Sequence, residues 1–254
     1  MKNQWFGDIH DFRKYGLLRF LSEITQDESL ESAKVFNRIL VAWMLTPKVK
    51  NDNCGKYRGY VNYLGQWEKC DKDLFEKLKQ FNSSARRAEE YNVGKAFSLN
   101  ILPDSQFVSY GGSNENELSK DRKNYFCKMK KNDSDLIFLD ADNGLEVVSM
   151  TKKKKPFYIL YKEIRSLYAA GKSVLIYQHR AIGQSFATQT SDKITKLQEI
   201  LELSAEILES RLIVFRGGNV SYFLLCQTEE QKRRVCDLFY KKNYPERFLK
   251  IQDF

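Results

Sequence analysis

The sequence predicts an α/β fold with a mainly parallel sheet flanked by helices. Three observations carry that prediction. The apolar runs "NRILVAWMLT", "DLIFLD" and "SVLIYQH" alternate with segments of helical period. Each run is short and bounded by turn residues or by Pro47, as strands covered on both faces are. Near the C-terminus "RLIVFRGGNVSYFLLCQ" sets two apolar runs about Gly217-Gly218, which adds an antiparallel edge.

Taken in order, "DFRKYGLLRFLSEIT" spaces Phe12, Tyr15, Leu18 and Leu21 as one face of an N-terminal helix. After the first strand, Asn51, Asp52, Asn53 and Gly55 mark a turn, and Tyr57, Tyr60 and Tyr63 fit a loop or hairpin. "CDKDLFEKLKQF" starts a helix with Asp71 or Asp73 at its N-cap. The polar middle holds a short strand, "SQFVSY", a loop, "GGSNENE", and a basic helix, "SKDRKNYFCKMKK". Lys152 to Lys155 followed by Pro156 reads as a surface loop, and "YILYKEIRSLYAAGK" as a helix ending at Gly171. "DKITKLQEILELSAEILE" puts Ile194, Leu197, Ile200, Leu201 and Leu208 on one amphipathic stripe. "EEQKRRVCDLFYKK" is the last helix, leading to a short tail.

With 254 residues, 42% hydrophobic and only 4 Pro, the chain reads as one α/β domain over 1–254, with an inserted or helical segment around 66–132. That composition excludes disorder for most of its length. Forty-two Lys and Arg against 33 Asp and Glu give +9, which favours a polyanionic partner such as nucleic acid; a solvated lysine surface is the plainer account. The five cysteines are scattered without a CxxC pair, against a thiolate zinc site or a disulfide scaffold. "MKNQWFGDIHD" has no basic-then-apolar pattern, and no apolar run approaches the roughly 20 residues that span a bilayer. A cytoplasmic protein without membrane association is the expectation, alone or with a protein partner or a second copy.

The chemistry concentrates in "DLIFLDADNGLEV". Asp140 ends a buried strand, and Asp142, Asn143, Gly144 and Glu146 follow. A tight turn accounts for Asn143 and Gly144 but not for the remaining carboxylates. Asp140, Asp142 and Glu146 could bind Mg²⁺ through hard oxygens, with a lysine or histidine orienting water. Alternatively Asp140 could hold the exocyclic amine of a nucleobase. The only two histidines, His10 in "GDIHDFRKYG" and His179 at the end of "SVLIYQH", both sit beside polar groups. Each is a structural or a catalytic candidate. Around His10, Asp8 or Asp11 caps a helix; either Lys14 is solvated, or Lys14 and His10 point into a pocket under it. The loop "RAIGQSF" contacts substrate or merely turns, and "FRGGNVSYF" is a hairpin whose glycine amides could meet phosphate. Lys123, Lys128, Lys130, Lys131 and Arg180 are the candidate nucleic-acid contacts, with Tyr125 and Phe126 nearby for stacking.

Two of these segments resemble motifs of the large-subunit ribosomal RNA adenine-N6 methyltransferases. "FGDIHDFRKYGLL" stands where that family carries "HAGNxADVxKH", and "LDADNGLE" where it carries "DPPYE". The likeness covers these two motifs and the order of elements. It implies a Rossmann-like, methyltransferase-like fold with S-adenosylmethionine as cofactor. Lys14, with Asp8 and Asp11 in the same segment, would then contact the cofactor, and Asp140 would be the catalytic aspartate. The reading is thus a nucleic-acid-acting enzyme that methylates a base. The alternatives are a Mg²⁺-dependent nuclease of a restriction or phage-defence system, and a non-catalytic partner subunit that kept the fold.

Overall fold

The computed structural model describes residues 7–22, 35–44, 56–63, 65–83, 106–110, 115–181 and 183–252. Its helices are α1 (Ile9–Leu21), α2 (Lys72–Ser83), α3 (Glu115–Lys131), α4 (Tyr161–Tyr168), α5 (Phe186–Leu201), α6 (Ala205–Glu209) and α7 (Glu229–Lys242). The strands are β1 (Ile39–Met44), β2 (Gln106–Tyr110), β3 (Leu136–Asp140), β4 (Ser173–His179), β5 (Leu212–Gly217), β6 (Val220–Leu225) and a two-residue β7 (Lys250–Ile251).

They form one mixed sheet in the order β2-β1-β3-β4-β6-β5, with β7 added at the β5 edge. β2, β1, β3 and β4 are parallel, and β6 runs antiparallel to both β4 and β5. β1 and most of β3 and β4 are apolar because both of their faces are covered. Ile39, Val41, Leu136, Phe138, Leu175 and Tyr177 share one core with residues of α1, α2 and α7. Leu40, Ala42, Ile137, Leu139, Val174 and Ile176 share the other with residues of α3, α4 and α5. Each Val, Leu, Ile or Phe among them contributes roughly 1.5–3 kcal/mol by burial. Within 66–132, β2 therefore extends the sheet and α3 covers one of its faces.

The sequence reading is amended in three places. Residues Lys56–Asn62 form a 3-10 helix rather than a loop or hairpin, and Lys152–Phe157 another. The long C-terminal stripe is two helices, because Glu202 takes the left-handed conformation (φ 56°) and Ser204 caps α6 by accepting from the Ile207 N–H. Leu208 thus packs from α6, not from a continuation of α5. The turn at Asn51, Asp52, Asn53 and Gly55 and most of "GGSNENE" lie outside the described residues. Among the described residues no helix is long and apolar enough to cross a membrane.

β1 has β2 on one side and β3 on the other, so the chain reverses its direction of travel there. Ligand crevices of open α/β sheets lie at the carboxyl ends of strands at such a point. The register sets Trp43 of β1 beside Asp140 of β3 at that end.

Candidate active site

Strand parity decides what Asp140 faces. Leu136 and Phe138 point to the α1 side of the sheet, so Asp140 does too. Tyr177 belongs to the same core, which places His179, two residues on, on that side. α1 meets them because its N-terminus is fixed by Asp8, whose Oδ1 accepts from the backbone N–H of His10 (2.8 Å) and Asp11 (3.0 Å). Its far side approaches the C-terminal segment so closely that a Cβ on Gly16 would sit 2.5 Å from Phe248 Cζ. Arg13 adds a tie, donating to the carbonyls of Phe248 (3.1 Å) and Arg247 (2.9 Å).

Lys14 is therefore not solvated; it is 5% exposed. Its Nζ donates to Asp140 Oδ2 at 3.0 Å and to Asp11 Oδ1 at 3.2 Å, and stands 4.3 Å from the Tyr177 ring centroid. Asp11 Oδ2 accepts from the Gly7 N–H at 2.8 Å. The second oxygen of Asp140, Oδ1, is buried and has no hydrogen-bond partner among the described residues. The Tyr177 hydroxyl shares a 3.1 Å hydrogen bond with His179 Nε2, and the His179 and His10 rings meet edge to face at 5.8 Å.

Burial works against the Lys14 ammonium, but Asp140 and Asp11 outweigh it and hold its pKa well above the ordinary lysine value. Burial raises Asp11 to about 7 despite Lys14, with Asp8 and Asp140 adding repulsion. Burial likewise raises Asp8, against Lys14. Both histidines are lowered to about 4. For His10 the causes are burial, Lys14 and Arg13. For His179 they are burial, His10 and Lys14. At neutral pH both imidazoles are uncharged, and Asp11 is poised to exchange a proton.

Seven predicted residues thus meet. Asp8, His10, Asp11, Lys14, Asp140, Asp142 and His179 line a single cavity of about 40 Å³. Glu146 does not. Its Oε1 accepts from the Tyr161 N–H at 2.7 Å and caps the start of α4, which is the task the turn reading left unexplained. Asp140, Asp142 and Glu146 are accordingly not assembled as one ligand set. Among the described residues no group of three or more His, Cys, Asp or Glu is arranged to hold a metal ion.

Gly144 does belong to a turn, at φ +73°. A Cβ there would fall 2.4 Å from Gln178 Oε1, the atom that accepts from the Leu145 N–H at 2.8 Å. Lys123, Lys130 and Lys131 line a surface cavity of about 900 Å³, and Arg180 a neighbouring one of about 1160 Å³. Lys128 lines neither. Tyr125 and Phe126 are 4% and 8% exposed and pack into the core, and Phe126 also lines the first of these cavities. In the "RAIGQSF" loop Ser185 caps α5 by accepting from the Thr188 N–H at 3.1 Å. The Gly217-Gly218 turn packs against Arg13.

No family model, curated protein or solved structure matches this chain. Tyr177 and Gln178 are the contributors that the sequence reading passed over. Period 2 along "SVLIYQH" was the available signal, since it pairs Tyr177 with His179 and opposes Gln178.

Proposed function

We propose that the protein is a nucleic-acid-acting enzyme that methylates the exocyclic amine of a base, on a Rossmann-like, methyltransferase-like fold. The observation that carries this is Asp140. Its carboxylate ends a strand beside the switch point, with one oxygen held by Lys14 and the other without a partner among the described residues, and the residue lines the cavity. The parallel β2-β1-β3-β4 set with antiparallel β6 and β5 supports the same fold.

The donor set suits this ligand. Asp8, Asp11, Asp140 and Asp142 line the cavity with one lysine, Lys14, which contacts Asp11 and Asp140. A cationic or hydrogen-donating group is favoured there over an anion. S-adenosylmethionine, when bound, supplies an electrophilic methyl group, and Asp8 and Asp11 are the carboxylates that would hold its positive end. Lys14 is already committed to two carboxylates, so in this reading it positions Asp140 rather than meeting the cofactor's own carboxylate. Asp140 Oδ1 accepts an N–H of the base amine and aims its nitrogen. With the cofactor bound, the sulfur–methyl bond would break to leave a neutral thioether as the amine nitrogen takes the methyl group, and neutral His10 or His179, or Asp11, would take the proton that the nitrogen gives up.

The test is transfer of labelled methyl from S-adenosylmethionine to single-stranded RNA and DNA, for wild type and Asp140→Asn. We expect transfer by wild type and a loss of about 100-fold or more in the variant. Absence of transfer and of cofactor binding by calorimetry overturns the proposal. So does Mg²⁺-dependent cleavage of the same strands that disappears in the variant.

A further inference from the structure

We propose that one single strand of nucleic acid lies in a basic groove running from α3 past the Lys152–Phe157 turn to His179, and presents an unpaired base to Asp140. This deepens the methyl-transfer reading and rests on it for the identity of the reaction, but not for the binding path.

The two surface cavities, about 900 and about 1160 Å³, adjoin: Lys152, Lys155 and Lys162 line both. Lys123, Lys130 and Lys131 extend the first, and Arg180, Lys193 and Lys196 the second. Two of the three carboxylates on these walls are occupied internally. Glu163 Oε1 and Oε2 accept from Arg122 at 2.6 and 2.7 Å, and Glu146 caps α4. Asp192 is the third. Lys196 is paired with Glu199 at 2.5 Å, and the remaining lysines and Arg180 leave the net charge offered to a ligand positive, which matches a phosphate backbone.

The walls are braced. Arg122 joins α3 to α4 through Glu163 and also donates to the Tyr158 carbonyl at 2.6 Å. His179 lines both the larger cavity and the 40 Å³ cavity that Asp140 lines, so the two cavities meet at that residue. Asp140 is fully buried, and 40 Å³ has room for a few waters or the amine edge of a base. A base stacked inside a duplex cannot reach such a carboxylate; an unpaired one can. Val147, 38% exposed, and the fully exposed Val148 stand on the same rim and offer apolar contact to a base that has left its stack.

The experiment measures anisotropy of labelled single-stranded RNA, single-stranded DNA and a duplex of equal length against salt, using the full chain without cofactor. Lys152→Gln with Lys153→Gln removes two groove charges. It should lower the slope of log K against log salt by about 1.4, at about 0.7 per phosphate contact on a single strand. Lys241→Gln with Lys242→Gln, on α7 over the opposite face, removes the same charge and should leave the slope unchanged. If the first pair fails to fold, Lys130→Gln with Lys162→Gln reads the same groove. Equal effects of groove and control pairs, no binding by wild type, or duplex binding as tight and as sensitive as single-strand binding each overturn the path. The RNA and DNA arms identify the strand. Groove-dependent binding without methyl transfer retains the path and removes the enzyme reading; transfer unaffected by the groove pair does the reverse.

Discussion

Replacing Lys14 by methionine keeps the apolar stem packed and removes the one ammonium between Asp11 and Asp140. Both contacts, 3.2 and 3.0 Å, are buried, with side-chain exposures of 6% for Lys14, 4% for Asp11 and 1% for Asp140. At an effective dielectric constant of about 20, each is a gross attraction of about 5 kcal/mol. Desolvation of three charged groups offsets much of this, and removal of one partner from such a site costs about 3–5 kcal/mol. For a chain of this size that is a fall in Tm of about 6–20 °C. The pH dependence has a definite sign. Lys14 holds the raised Asp11 pKa down, so without it that folded pKa rises further and the native state binds more protons than the unfolded one. The destabilisation then grows as pH rises through that value. Thermal scans at pH 5 and pH 8 should therefore show the larger loss at pH 8. Lys14→Met with Asp140→Asn should lose less than the sum of the single variants, because the second change removes the orphaned charge. A fall below about 2 °C, or one equal at both pH values, would refute the buried ion-pair argument.

Two more outcomes follow from the same neighbourhood. Gly144→Ala places a side chain at φ +73° and within 2.4 Å of Gln178 Oε1, displacing the acceptor of the buried Leu145 N–H. The strain of about 1–2 kcal/mol and the lost bond of about 1–3 should together lower Tm by about 4–20 °C, and an unchanged Tm contradicts the contact. Asp11→Asn should steepen the rise of Tm between pH 4.5 and 6.5. His10 and His179, lowered to about 4, contribute stability that is present above the unfolded value of about 6.5 and lost as pH falls. Asp11, raised to about 7, opposes them by losing stability as pH rises from about 4, so a flatter profile in the variant would count against these assignments.

Much of this was legible in residue patterns. The apolar runs at Ile39–Met44, Leu136–Asp140 and Ser173–His179 are strands, the Gly217-Gly218 pair turns between β5 and β6, and of the two cap candidates, Asp8 and Asp11, Asp8 caps α1. The break at Glu202 was not legible, because an amphipathic stripe continues through a left-handed cap without changing its composition. The burial of Tyr125 and Phe126 was not legible for a related reason. Amphipathic α3 buries its aromatic face and exposes its lysines, and spacing to a basic run does not say which face is which.

By itself the sequence determined the element order, the placing of Asp140 at a strand's end, and the charge surplus, since these depend on local period and on counting. Only the tertiary structure decided which carboxylates work together. It separated Glu146, six residues from Asp140, to cap α4, and brought Lys14 within 3.0 Å of Asp140 across 126 positions. Sheet parity and the docking of α1 set those distances. They are long-range packing choices, driven by burial of Phe12, Tyr15 and Leu18 against the strands, and no window of neighbouring residues contains them.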